Sequence, residues 1–219
     1  MSLLHFLKDY YTIFFVWLTG TTVAILYRKS WSLPMKVFAW FVMVYVLFDT
    51  AGNVMAGIYK MNNHFFYNLI YTVQFLVLAF FFYYQLDSHL IKKVIRAYFW
   101  IFPLFVLTNT IFFQGFYTWQ TYSFVFGGIF VILLSIAYLW QLYDSDETQS
   151  IFRDPVFWFS LSLLLYFTVT VPYFGMLNYL LQNYPVFSLK YYLLVIDISF
   201  CLHNIVMTIG FLCLKGSMK

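Results

Sequence analysis

Apolar runs of about 20 residues succeed one another along this chain, and the charged residues are gathered in the short stretches between them. Coiled as an α-helix, a run of that length spans the hydrocarbon of a bilayer. Inside lipid, only helices and closed barrels satisfy their own backbone groups. The pattern predicts an all-α, polytopic membrane bundle of seven transmembrane helices, forming one domain over residues 1–219. The helices are expected at Tyr10–Tyr27, Val37–Tyr59, Phe65–Leu86, Ala97–Gln114, Ser123–Tyr143, Pro155–Leu177 and Tyr191–Leu214. With 63% of residues hydrophobic and 9% charged, there are too few polar groups to clothe a water-facing surface, so the excess apolar surface is assigned to lipid. The N-terminus lacks the three-part pattern of a cleaved signal, and the first apolar run is expected to be retained as a helix.

The connections are polar and short, apart from Asn178–Lys190, which reads as an irregular segment because Pro185 should interrupt a helix there. Counting Lys and Arg by side puts nine on one face (Arg28, Lys29, Lys36, Lys92, Lys93, Arg96, Arg153, Lys215, Lys219) and three on the other (Lys8, Lys60, Lys190). In short loops that asymmetry places the N-terminus outside and the C-terminus in the cytoplasm. Trp31, Trp40, Trp100, Trp140 and Trp158 fall near the predicted cytoplasmic ends, as an interfacial aromatic belt requires. The net charge of +4 thus orients the chain in a membrane, and no nucleic-acid partner is expected. Cys201 and Cys213 lie twelve residues apart on one predicted helix, about 18 Å, too far for a mutual disulfide.

Asp154-Pro155 offers a capping carboxylate followed by a proline suited to the first helical position. Pro103 and Pro172 fall inside helices four and six, where bends are expected. Gly52 with Ala56, and the pair Gly127-Gly128, mark narrow faces that suit close helix packing.

A strongly polar side chain within a span costs enough that it demands a partner. Asp49 and Asn53 share a face of helix two, helix three carries Asn68 and Gln74, and helix four carries Asn109. On helix seven, Asp197, Cys201 and Asn204 share a face, and His203 points about a third of a turn away. These positions suggest an outward-facing ligand pocket lined by Asp49, Asn53, Asn68, Gln74, Asn109, Asp197 and Asn204, with Tyr71 and Tyr173 near its rim. The competing reading of each is an interhelical hydrogen bond. His203, alone among the histidines in lying within a span, reads as a hydrogen-bonded core residue, since a metal site would need further ligands at its depth. The many aromatic residues read as packing and interface anchors, so no cofactor is expected.

Several seven-helix chemistries lack their residues here. A retinal protein needs a lysine in the middle of helix seven; Lys190 lies at its outer edge, and Cys201 stands four residues after Asp197 where that lysine would fall. Ceramidase-like zinc amidohydrolases use several intramembrane histidines, and GxGD, GxSxG, DRY and NPxxY signatures are absent. A carrier with Pro103 and Pro172 as hinges is a second reading, with Asp49 and Asp197 as its titratable pair. A lipid- or isoprenoid-modifying enzyme, needing Asp49, Asp197 and His203 to converge, is a third.

FYNLIYTVQFLVLAFFFYYQL, followed by FRDPVFWFSLSLLLYFTVTVPYFGMLNYLL, resembles a group of poorly characterised bacterial seven-helix membrane proteins. These occur alone or as membrane input modules of sensor histidine kinases. In that group helix three often carries an acidic residue where this chain has Gln74, and helix six opens with a pattern similar to Pro155-Val156-Phe157-Trp158. The resemblance implies a non-enzymatic sensor, or an adaptor subunit of a signalling or other complex, in the bacterial inner membrane. A protein partner in the membrane or cytoplasm would then carry the signal, and a small or lipophilic ligand would occupy the polar pocket.

Overall fold

The computed structural model describes residues 3–145 and 151–216, with side chains from Thr12 onward except those of residues 178, 181, 185–194, 215 and 216. Among the described residues the chain is helical, with no strands. The helices are α1 (Leu3–Leu26), α2 (Leu33–Gly57), α3 (His64–Gln85), α4 (His89–Asn109), α5 (Thr121–Tyr143), α6 (Pro155–Asn183) and α7 (Pro185–Gly216). A π-helical turn, Thr110–Gln114, extends α4, and a 3₁₀ turn, Ile151–Arg153, precedes α6.

Two boundaries differ from the sequence reading in instructive ways. α4 begins at His89 rather than Ala97, with the Ser88 hydroxyl accepting from the Ile91 N–H at 3.5 Å. Its first two turns are amphipathic: Ile95 is fully buried while Lys93 and Arg96 are exposed. A search for unbroken apolar runs discards such a stretch as loop. The segment Asn178–Lys190 is not irregular; α6 runs to Asn183 and α7 opens on Pro185, with Tyr184 alone between them. Proline is tolerated at the first helical position because its missing N–H has no intrahelical partner there in any case. It therefore divides two helices and leaves both intact. Pro103 and Pro172 lie within continuous helices.

Five of the helices are long and apolar enough to cross a membrane: α2, α3, α5, α6 through Pro155–Leu177 and α7 through Val195–Leu214. In α1 the apolar stretch is the shorter Thr12–Leu26. In α4 the cations Lys92, Lys93 and Arg96 occupy the opening turns. Large apolar side chains cover the outer surface, with Trp100 83%, Ile25 81% and Phe112 74% exposed. A surface of that kind is solvated by lipid, which makes the chain an integral membrane protein.

Helix contacts run α1–α2, α2–α3, α3–α5, α5–α6, α6–α7 and back to α1, a closed ring, with α4 lying outside the α3–α5 seam. One half of the ring is filled by aromatic rings. Phe38 of α2 meets Phe81 of α3 at 4.8 Å and Phe159 of α6 at 5.2 Å, and Phe159 meets Phe211 of α7 at 4.7 Å. Such pairs contribute about 0.5–1.5 kcal/mol each beyond area burial.

The narrow helix faces serve close approach as expected. A Cβ on Gly127 would collide with the Phe75 ring and one on Gly128 with Val171, so α5 lies tight against α3 and α6 at these points. The predicted cap also forms. Asp154 Oδ1 accepts from the Val156 N–H at 2.9 Å, and its Oδ2 accepts from the Tyr138 hydroxyl at 2.6 Å, tying the start of α6 to α5.

Candidate functional site

Asp49 is buried on α2. Asn53, one turn further on, donates its amide to Asp49 Oδ2 at 3.2 Å and to the Asp49 carbonyl at 2.8 Å. From α3, the Tyr67 hydroxyl donates to Asp49 Oδ1 at 3.4 Å. Gly52 eases this geometry: a Cβ there would stand 3.0 Å from the Tyr67 hydroxyl, tight enough that the ring would have to shift by a few tenths of an ångström. The carboxylate is thus held by a phenol and an amide from adjacent helices.

From Asp49 a set of phenols continues along the bundle interior. Tyr45, one turn before Asp49, lies within electrostatic reach of Tyr67, Tyr71, Tyr166 and Asp49 itself. The Tyr67 and Tyr71 rings stack at 5.9 Å.

Tyr45 and Tyr166 then join Thr19, Gln74, His203 and Asn204 in the wall of a partly open cavity of about 40 Å³, bordered by α1, α2, α3, α6 and α7. That volume holds about three water molecules or the end of a small organic molecule. Gln74 is 8% exposed, and its Oε1 is buried with no hydrogen-bond partner. An unmet polar atom of this kind costs about 1–3 kcal/mol. Asn204 is engaged in its helix and with α1: its amide donates to the Phe200 carbonyl at 2.9 Å, and its Oδ1 accepts from the Thr19 hydroxyl at 3.1 Å.

His203 stands on the same wall with one edge fixed. The fully buried Ser162 places its Oγ 2.7 Å from His203 Nδ1 and 2.8 Å from the His203 carbonyl, with the Ser162 carbonyl 3.3 Å from Nδ1. Serine has one proton to give. Donated to the carbonyl, it leaves Nδ1–H as donor to both Ser162 oxygens, so the hydrogen-bond pattern assigns the lone pair of the neutral imidazole to Nε2. The expected core histidine is indeed hydrogen-bonded, and in addition it lines a cavity.

The remaining predicted site residues are distributed elsewhere. Asn68 holds the turn that follows α4, donating to the Phe116 and Thr118 carbonyls at 3.2 and 2.8 Å and accepting from the Gln120 N–H at 3.1 Å. Asn109 donates to Gln114 Oε1 at 3.0 Å and to Ser123 Oγ at 2.9 Å, bracing the π-helical turn against α5. A second cavity of about 10 Å³, room for about one water, lies beside Asn68, Tyr71 and Gln120. Asp197 is half-buried on α7 and does not line the larger cavity, and Tyr173 is half-buried on α6 against Phe174. Asp49 and Asn53 therefore form one cluster, Gln74 and Asn204 belong to the central cavity, and Asn68 and Asn109 knit the α4–α5 connection.

Comparison with protein-family models, curated proteins and solved structures finds no match. Residues that a search for amides and carboxylates passes over complete the site: Thr19, Tyr45, Ser162 and Tyr166. A signal for two of them exists in the sequence. Ser162, Tyr166 and Thr170 recur every four residues on α6, and all three are buried. A hydroxyl stripe at helical spacing inside an apolar run marks an inward face as surely as a carboxylate does.

Proposed function

We propose that this chain is a non-enzymatic membrane sensor, or the membrane subunit of a signalling complex, in which the central cavity holds a small ligand. In this reading all seven helices span the bilayer, with the N-terminus outside and the C-terminus in the cytoplasm of a bacterial inner membrane. The charge asymmetry of the connections supports that orientation. α1 and α4 span as members of the packed bundle, where neighbouring helices cover the polar faces that an isolated helix would expose.

The observation that carries the proposal is the Gln74 amide oxygen, without a protein partner, on a residue lining a cavity within an otherwise close-packed aromatic interior. Interiors of this density leave few voids larger than a water molecule, and of the eight buried side-chain polar atoms without a protein partner among the described residues, only the Gln74 oxygen belongs to a residue of the larger cavity's wall. A void beside a polar side chain without a protein partner is a place where a small molecule can both fit and hydrogen-bond. Occupancy of a cavity bounded by five helices gives a means of shifting the bundle between two packings, provided the ligand binds one of them more tightly. A protein partner contacting the cytoplasmic ends would read that shift.

The test is native mass spectrometry of the protein, transferred from its own membranes into lipid nanodiscs, beside a Gln74→Leu variant handled identically. The proposal predicts a non-protein mass retained by the wild type and missing from the variant. Equal retained mass in the two, or none in either, contradicts it.

A further inference from the structure

The wall of the central cavity specifies the chemistry of what enters it, given the reading of that cavity as a ligand site. None of its described lining residues is Asp, Glu, Lys or Arg. A charged ligand would lie in the bundle interior without a counter-charge, which costs about 2.5–3.5 kcal/mol or more. A neutral occupant avoids that cost, and the nearby Asp49 carboxylate is already taken up by Tyr67 and Asn53.

Two polar side chains border the space. Gln74 Oε1 has no partner within the protein. His203 has its Nδ1 edge turned to Ser162 and so offers the Nε2 lone pair. A hydroxyl has one proton to give: it donates to His203 Nε2 and accepts from the Gln74 amide with its NH2 turned to the space. Beyond these atoms the wall is hydrocarbon and aromatic, including Phe38, Phe41, Leu78, Leu163, Phe200 and Met207, which suits an alkyl stem. A volume of about 40 Å³ admits a hydroxyl and a few carbons, not a sugar or a phosphate.

We infer that the cavity binds the hydroxyl end of a neutral, lipid-soluble alcohol between Gln74 and His203. A free short alcohol and the terminus of a longer membrane alcohol share this chemistry. Water shares the donor but not the stem.

Photolabelling of the wild-type protein in nanodiscs tests this with two probes: a four-carbon alcohol bearing a diazirine, and its methyl ether, which has the same stem but no donor. A third arm adds unlabelled decanol, too long for the cavity to enclose, as competitor to the alcohol probe. The inference predicts labelling of cavity residues such as Tyr45, Tyr166 and Met207 by the alcohol, and about tenfold less by the ether, the ratio expected for one buried acceptor left unmet. Competition by decanol identifies a membrane alcohol whose tail reaches the lipid, and its failure identifies a free short alcohol. Equal labelling by alcohol and ether overturns the hydroxyl assignment while leaving the cavity as a ligand site. No cavity labelling by either probe overturns the ligand site too and leaves the space to water.

Discussion

Ser162 Oγ lies 2.7 Å from His203 Nδ1, joining α6 to α7 through a serine with no exposed surface. The pair fixes the position of the imidazole in the cavity wall. Ser162→Ala removes that restraint and leaves Nδ1 with the weaker 3.3 Å contact to the residue 162 carbonyl. The expected cost is about 0.6–1.7 kcal/mol, the range for interhelical hydrogen bonds in membrane bundles, seen as a lower thermal midpoint in detergent. A midpoint equal to wild type would mean the pair is incidental.

Gln74→Leu is predicted to behave in the opposite sense. Leucine removes a buried oxygen without a partner, so the ligand-free bundle gains stability by about 1–3 kcal/mol while losing its ligand. A rise in midpoint after exhaustive detergent washing, combined with loss of retained mass, separates a functional polar group from a structural one. If the variant is less stable than wild type in the ligand-free state, Gln74 is holding the bundle together.

Gly127 admits the Phe75 ring where no Cβ fits, whereas a Cβ on Gly175 would meet Val125 at an ordinary 3.7 Å. Gly127→Ala is expected to destabilise by about 1–3 kcal/mol through overpacking. Gly175→Ala should be close to neutral. Thermal midpoints measured side by side check the α3–α5 contact, and similar values for the two variants would place that contact elsewhere.

Orientation is checked with single cysteines in a background where Cys201 and Cys213 are replaced by serine. Ser88, between α3 and α4, and Thr118, between α4 and α5, are both exposed. Thr118→Cys should react with a membrane-impermeant maleimide in intact cells, and Ser88→Cys only after lysis. The reverse pattern would invert the bundle.

The helical bundle was legible in the sequence because the length of an apolar run and the position of charges are local properties. Where the reading went astray, at the start of α4 and across the α6–α7 junction, the signal was a mixture: an amphipathic turn in one case and a proline at a first helical position in the other. The pairing of Asp49 with Asn53 followed from spacing alone, and Tyr67 could not, since it arrives from another helix through the gap at Gly52. Convergence of the polar groups depends on ring order around the bundle, which runs α3 to α5 and leaves α4 outside. Nothing in one sequence encodes that order openly. The amides of α3 and α4 therefore looked alike before the fold was known, although Gln74 faces a cavity and Asn109 braces a turn.

The central claim is that the space beside Gln74 belongs to a ligand. A cryo-EM map of the protein in nanodiscs formed from its native membrane, at a resolution that shows side chains, tests it most directly. The account predicts continuous non-protein density between Gln74 and His203, within hydrogen-bond distance of the amide and longer than a water molecule. Side chains closed over an empty or water-filled space, with the Gln74 amide bonded to the protein itself, would contradict it.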